Sequence, residues 1–131
     1  MTERVYTRPL ADKLGIGHGM RVAIVDVPDE SLREMLRSRT DDITEGRPRP
    51  ATDLVFLAAD SVAQLAVLSG LRARLKPAGG IWVVMRKGKT ATLRDVEVME
   101  AARAAGLVDN KVVSFSDTHT SIRLVIPRHL R

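Results

Sequence analysis

Residues Asp53 to Lys87 constrain the fold of this chain more than any other stretch. A short apolar run, Leu54 to Ala59, leads into a segment with apolar residues at positions 62, 65, 68, 71 and 75. Leu75-Lys76-Pro77-Ala78-Gly79-Gly80 follows, and then a second apolar run, Ile81 to Met85. A continuous apolar run of this length suits a strand covered on both faces. Spacings of three and four make one stripe along a helix. Ser61-Val62-Ala63-Gln64 reads as a capping box behind Asp60. Pro77 is expected to stop the helix, and Gly79-Gly80 to supply a turn. The whole is a β-α-β unit, which closes as a right-handed parallel crossover. An α/β protein with a mostly parallel sheet is the expected fold class.

Composition narrows the rest. With 131 residues the chain is expected to be a single domain with its own core. There is no cysteine, so disulfides, thiolate nucleophiles and thiolate-bound metals are excluded. Aromatics make up 3% of the chain, so Leu, Val, Ile and Ala must fill the core. No apolar signal core opens the sequence, no run reaches membrane-spanning length, and a cytoplasmic location is expected. The formal charge is +5, and sixteen of the 21 basic residues are arginine. They are scattered among acidic residues, and stacking aromatics are few. A nucleic-acid partner is therefore disfavoured, while a homodimer stays open as a partner arrangement.

Taken in order, residues 1–20 form an N-terminal arm and a short helix, Arg8 to Leu14, stopped by Gly15. His18 sits in a Gly17-His18-Gly19 turn with no second ligand at metal spacing, so no metal site is expected. Tyr6 is expected to pack the arm or an interface. Arg21 to Val27 is the first core strand. Ser31-Leu32-Arg33-Glu34 reads as a capping box opening a helix through about Arg37, with Leu32, Met35 and Leu36 buried. Asp42 to Glu45 suits a brief edge strand. Arg47-Pro48-Arg49-Pro50 reads as extended linker rather than as an anion clamp. Thr92 is expected to cap a helix over Leu93 to Ala105, with Leu93, Val96 and Met99 on its buried face. Leu107 to Phe115 and Ser121 to Ile126 should pair as an antiparallel edge hairpin. Residues 128–131 form a basic tail.

Few motifs point to chemistry. Gly88-Lys89-Thr90 ends like a phosphate-binding loop, but Val83 stands where such a loop needs glycine. Arg86, Lys87 and Lys89 are candidates for a plain anion site. There is no Gly-x-Ser-x-Gly elbow. Asp117 and His119 with Ser114, Ser116 and Ser121 suit turn chemistry better than a catalytic triad.

The order of elements resembles the seven-stranded, Rossmann-like fold of S-adenosylmethionine-dependent methyltransferases. The matching residues are Gly17-His18-Gly19-Met20-Arg21-Val22, Asp53-Leu54-Val55, Leu75 to Gly80 and Ala105-Gly106-Leu107. The chain is also similar to a family of small uncharacterised bacterial proteins, through Arg8-Pro9-Leu10-Ala11-Asp12-Lys13-Leu14-Gly15-Ile16 and Leu124-Val125-Ile126-Pro127-Arg128. The resemblance implies a three-layer sandwich, its mostly parallel sheet ending in the antiparallel hairpin. It implies S-adenosylmethionine as cofactor, held at the C-terminal strand ends by Asp26, Val27, Asp29, Glu45, Ala58 and Asp60. Glu45 would take the place of the acidic residue that holds the ribose hydroxyls.

The departures lie in the cofactor half. Methyltransferases turn out of their first strand through glycines, which let the backbone approach the cofactor. Val25-Asp26-Val27-Pro28-Asp29-Glu30-Ser31 has none. About 25 residues separate that strand from Asp53, too few for two complete β-α units. The expectation is a shortened, degenerate methyltransferase-like domain that acts as a non-catalytic binding module. A methyltransferase with an atypical cofactor loop is the alternative.

Overall fold

The computed structural model describes residues 8–131 and holds a six-stranded sheet in the order β2-β1-β3-β4-β6-β5. The strands are β1 (Val22–Val25), β2 (Ile43–Glu45), β3 (Thr52–Ala58), β4 (Leu75–Arg86), β5 (Val108–Ser114) and β6 (His119–Val125). The helices are α1 (Leu10–Lys13), α2 (Glu30–Arg37), α3 (Leu68–Arg72) and α4 (Asp95–Ala104). The first four strands run parallel, and β6 is antiparallel to both β4 and β5. Tyr6 lies outside the described residues. Among the described residues, no helix is long and apolar enough to cross a membrane.

β3 and β4 lie at the centre and are buried on both faces, as their unbroken apolar runs require. Val55, Leu57, Ile81 and Val83 face one layer, formed by Leu65, Leu68, Leu71, Val98 and Ala102. Leu54, Phe56, Trp82 and Val84 face the other, formed by Ala11, Leu14, Leu32 and Leu36. Trp82 is fully buried, and its Nε1 donates to the Leu14 carbonyl at 2.9 Å. That bond satisfies the indole and ties α1 to the middle of the sheet.

The local expectations fare unevenly. Residues 61–75 do not form one α-helix: Val62–Val67 is a 3-10 helix, continued by the short α3. The buried residues Leu65, Leu68 and Leu71 recur every third position, which matches three residues per turn better than 3.6. Val62 is exposed, and Leu75 belongs to β4. Gln64 Oε1 accepts from the backbone N–H groups of Asp60 and Ser61. The cap of α2 is Asp29, whose Oδ1 accepts from Leu32 N at 3.0 Å, so the cap lies two residues before Ser31 and the helix opens at Glu30. The residue preceding α4 is Arg94, not Thr92, whose hydroxyl donates to the Asp60 carbonyl. The inner face of α4 is Val98 and Ala102, with Leu93 just ahead of it, and Val96 is exposed.

Lys76 to Gly79 do not leave the sheet in a turn. They bulge from β4 between the Thr52–Leu75 and Leu54–Gly80 pairs. A Cβ on Gly79 would stand 2.9 Å from the Asp53 carbonyl oxygen, with the Lys76 and Thr52 carbonyls at 3.1 Å. Only glycine fits against so much backbone.

The chain between β2 and β3 is too short for a helix, and residues 46–51 cross back over β1 as an extended strap. Pro48 is buried beneath it. Arg21 Nη1 donates to the Pro50 carbonyl at 2.6 Å, Arg49 pairs with Asp42, and Thr52 Oγ1 donates to the Arg49 carbonyl. Arg47 remains exposed. Beside the strap an open apolar hollow of about 490 Å³ is lined by Val25, Pro48, Val67 and Gly70.

Two glycines separate close packing from chain entropy. Gly79→Ala should cost about 1–3 kcal/mol, because the obstructing atoms are backbone. Gly70→Ala in α3 meets nothing within 4 Å and should instead gain about 0.5–1 kcal/mol. Urea unfolding of the two variants checks the opposite signs.

Candidate functional site

Open parallel sheets bind ligands at the C-terminal ends of their strands. Here those ends carry residues 26–29 after β1, Glu45 of β2, residues 58–61 at the end of β3 and Arg86 to Lys89 at the end of β4. They divide into three places rather than one.

The first is a cleft of about 450 Å³ lined by Ile24, Asp26, Val27, Pro28, Arg33, Glu45 and Gly46. Asp26 turns the chain out of β1 at φ 58°, in the left-handed region that a glycine would occupy without strain. Its carboxylate is exposed, while Val27 turns inward and is 3% exposed. Arg33, on the second turn of α2, spans the cleft. Its Nη1 donates to the carbonyls of Val27 at 2.8 Å and Asp29 at 3.2 Å. Its Nε and Nη2 donate to Glu45 Oε2 and Oε1 at 2.8 and 2.5 Å. The fork-to-fork geometry is the strongest form of such a pair. The hydrogen bonds from Arg33 hold the Glu45 carboxyl below its ordinary range, and those to Glu45 raise the Arg33 guanidinium. Arg33 entered the sequence reading only as part of a capping box. The available signal was its spacing, four residues beyond Asp29 on a helix that starts at the β1 end.

The second place is a small hollow of about 90 Å³ between Val27, Pro28, Asp29, Ala58, Val84, Phe115 and His119. Asp29 spends one carboxylate oxygen on capping α2. His119 Nδ1 bonds Thr118 Oγ1 at 2.8 Å. The hydroxyls around it are committed elsewhere: Ser121 donates to the Val113 carbonyl, and Ser116 bonds Thr118. The adjacent Thr118 hydroxyl is the one that the His119 ring bonds among these contacts.

The third place is the end of β4. Arg86 lies 3.7 Å from Asp60, and Lys87 Nζ donates to Ser114 Oγ at 2.8 Å. Lys89 is exposed on the single 3-10 turn Gly88–Thr90. Asp60 and Ala58 therefore stand apart from the cleft that gathers Asp26, Val27 and Glu45. Among the described residues, no group of three or more His, Asp or Glu residues is placed to hold a metal ion.

The Arg33–Glu45 pair carries a pH signature. A carboxylate held low in the folded state adds stability that is complete above its unfolded pKa and fades as pH falls through the folded one. The melting difference between the wild type and Glu45→Gln should be present at neutral pH and vanish well below pH 4.5, the carboxyl's ordinary value. An NMR titration of the Glu45 carboxyl carbon should give a midpoint below that value.

A family model described as "Protein of unknown function (DUF3052)" matches residues 11–128. No curated protein matches the sequence significantly. Among solved structures, the pyocyanin biosynthetic protein PhzM superposes with a TM-score of 0.71 at 11% identity, over 90% of this chain and 53% of its own. Precorrin-6y C5,15-methyltransferase from Geobacter metallireducens GS-15 gives 0.63 at 11% identity, over 88% of this chain and 84% of its own. An O-methyltransferase from neocarzinostatin biosynthesis, solved with S-adenosyl-L-homocysteine, gives 0.60 at 16% identity, over 88% and 51%. At such identities the likeness is one of fold: this is a methyltransferase-like, Rossmann-like α/β chain. It spans about half the length of two of these three proteins.

Proposed function

The chain belongs to the DUF3052 family of proteins of unknown function, and we propose that it works as a methyltransferase-like binding module that has given up its cofactor. The observation that carries this reading is the Arg33 guanidinium. Both oxygens of Glu45, the acid that would meet the ribose hydroxyls, accept from Arg33. The same side chain covers the carbonyls of Val27 and Asp29. A nucleoside that drew Glu45 away from Arg33 would give up the two hydrogen bonds that join them. The turn beneath supports the same reading. Pro28 places an exposed ring in a turn where glycine would leave room, and Asp26 makes the left-handed turn with a side chain in place. The adenosyl group and these residues do not fit together as they stand.

The binding role draws on surfaces away from the cleft. Val62, Val67 and Val96 are exposed on the helical layer and could serve that role. A cytoplasmic protein with this fold and no chemistry of its own would act through such contacts, to itself as a homodimer or to another chain.

The competing reading is a methyltransferase with an atypical loop, favoured by the retained acid at Glu45 and by the fold itself. Thermal unfolding with S-adenosylmethionine and S-adenosylhomocysteine separates the two. A ligand at about a hundred times its Kd stabilises by about 2.7 kcal/mol, which is several degrees for a chain of this size. We expect no shift up to millimolar ligand. A rise of several degrees that Glu45→Gln abolishes would establish the cofactor site and end the cofactor-free reading.

A further inference from the structure

A second concentration of charge lies away from those strand ends, beside the middle of β4, and nothing at the strand-end cleft uses it. Arg123 of β6 stands directly across from Trp82 of β4 on one side and Lys111 of β5 on the other. Residues directly opposite in an antiparallel ladder share a face. Arg123 and Lys111 therefore leave the sheet on the side that Trp82 and α1 occupy. Lys111 Nζ reaches the Lys13 carbonyl at 2.8 Å, at the C-terminal end of α1.

Arg123 lies across a floor made by Gly80, where a Cβ would stand 2.7 Å from its Nε. It is half-buried, and no carboxylate among the described residues pairs with it. The neighbouring cation is Arg131, anchored by its Nε to the Ile126 carbonyl at 2.8 Å. Burial first, and then the charge of Arg131, push the Arg123 guanidinium below its ordinary value.

A half-buried guanidinium with no counter-charge among the described residues, next to a second one, costs stability in the protein alone. The same arrangement suits an incoming anion: the planar fork of arginine matches the oxygens of a phosphate, and lysine adds a point charge. We propose that Arg123, Arg131 and Lys111 form a binding site for a single phosphate group, carried by a small molecule, on the α1 face of the sheet. Three cations suit a dianion better than a lone carboxylate. Among the described residues the aromatics of that face, Phe56, Trp82 and Phe115, are buried, so none of them offers a stacking platform for a nucleic-acid strand. The site is separate from Arg86, Lys87 and Lys89. Arg86 pairs with His119 in the ladder, four residues along β4 from Trp82, or about 13 Å.

The test is thermal unfolding in chloride buffers of matched ionic strength, with inorganic phosphate or glycerol phosphate added. It compares the wild type, Arg123→Met, Arg131→Gln and, at the end of β4, Lys89→Gln. Both phosphates should raise the wild-type and Lys89→Gln midpoints by several degrees near saturation. Arg123→Met should melt above the wild type without phosphate and show no phosphate-dependent rise. Arg131→Gln should show a reduced rise, which keeps the test informative if Arg123→Met does not fold. A larger effect from glycerol phosphate identifies a phosphomonoester as the ligand, and a larger effect from phosphate identifies the free ion. The proposal fails if phosphate stabilises the wild type no more than chloride does, or if Arg123→Met keeps the full shift. It also fails if a short RNA binds more tightly than either phosphate through Arg123 with a steep salt dependence.

Discussion

A sheet whose middle strands are apolar on both faces must be covered twice, and this chain has little length with which to do it. Every other feature follows from how the covering is shared out. On one face α1 and α2 supply Leu14, Leu32 and Leu36, and Trp82 bonds to the end of α1. On the other, the layer over β3 and β4 is made by the 3-10 segment, α3 and α4. Over β1 on that second face no helix stands among the described residues. A six-residue strap does that work, with Pro48 buried and its ends tied down by Arg21 and Arg49. The shortening lies in the half of the fold where the methyltransferase resemblance would place a cofactor.

The same shortage explains the strand-end cleft. β2 has three residues and pairs on one side only, with β1. A strand that short needs more than its ladder to hold its place. Arg33 supplies it by joining α2, the turn after β1 and Glu45 through a single side chain. In this view the ion pair is first a structural strut. Arg33 also lines the cleft beside Glu45.

Much of the architecture was legible in the residues. Leu54 to Leu57 and Ile81 to Val84 read as doubly buried strands because their apolar runs have no polar alternation, and the structure buries them so. The terminal hairpin was legible from two strand-like runs around Ser116-Asp117-Thr118. The 3-10 segment was missed because positions 62, 65, 68, 71 and 75 satisfy a helical stripe as readily as a threefold repeat. Pro77 to Gly80 read as a turn because glycine and proline mark turns and bulges alike, and only the Asp53 carbonyl distinguishes them. Asp26, Val27 and Glu45 could be picked out one by one, and the structure places all three around one cleft. The partner that fills it could not be picked out, because a pairing twelve residues apart depends on where α2 lies against β2.

The two ends of the sheet bear on how copies of this molecule meet. An open sheet edge is an invitation to add another strand, and long flat edges seed polymers. Neither edge here is of that kind. β2 offers three residues. β5 is interrupted at Asn110, where the register slips between Asp109 and Lys111, and it carries the Lys111 ammonium beside the break. Both features disfavour strand-by-strand extension of the sheet at its edges. The irregularities that make the outer strands hard to read from sequence are the same ones that blunt the edges against fibre growth.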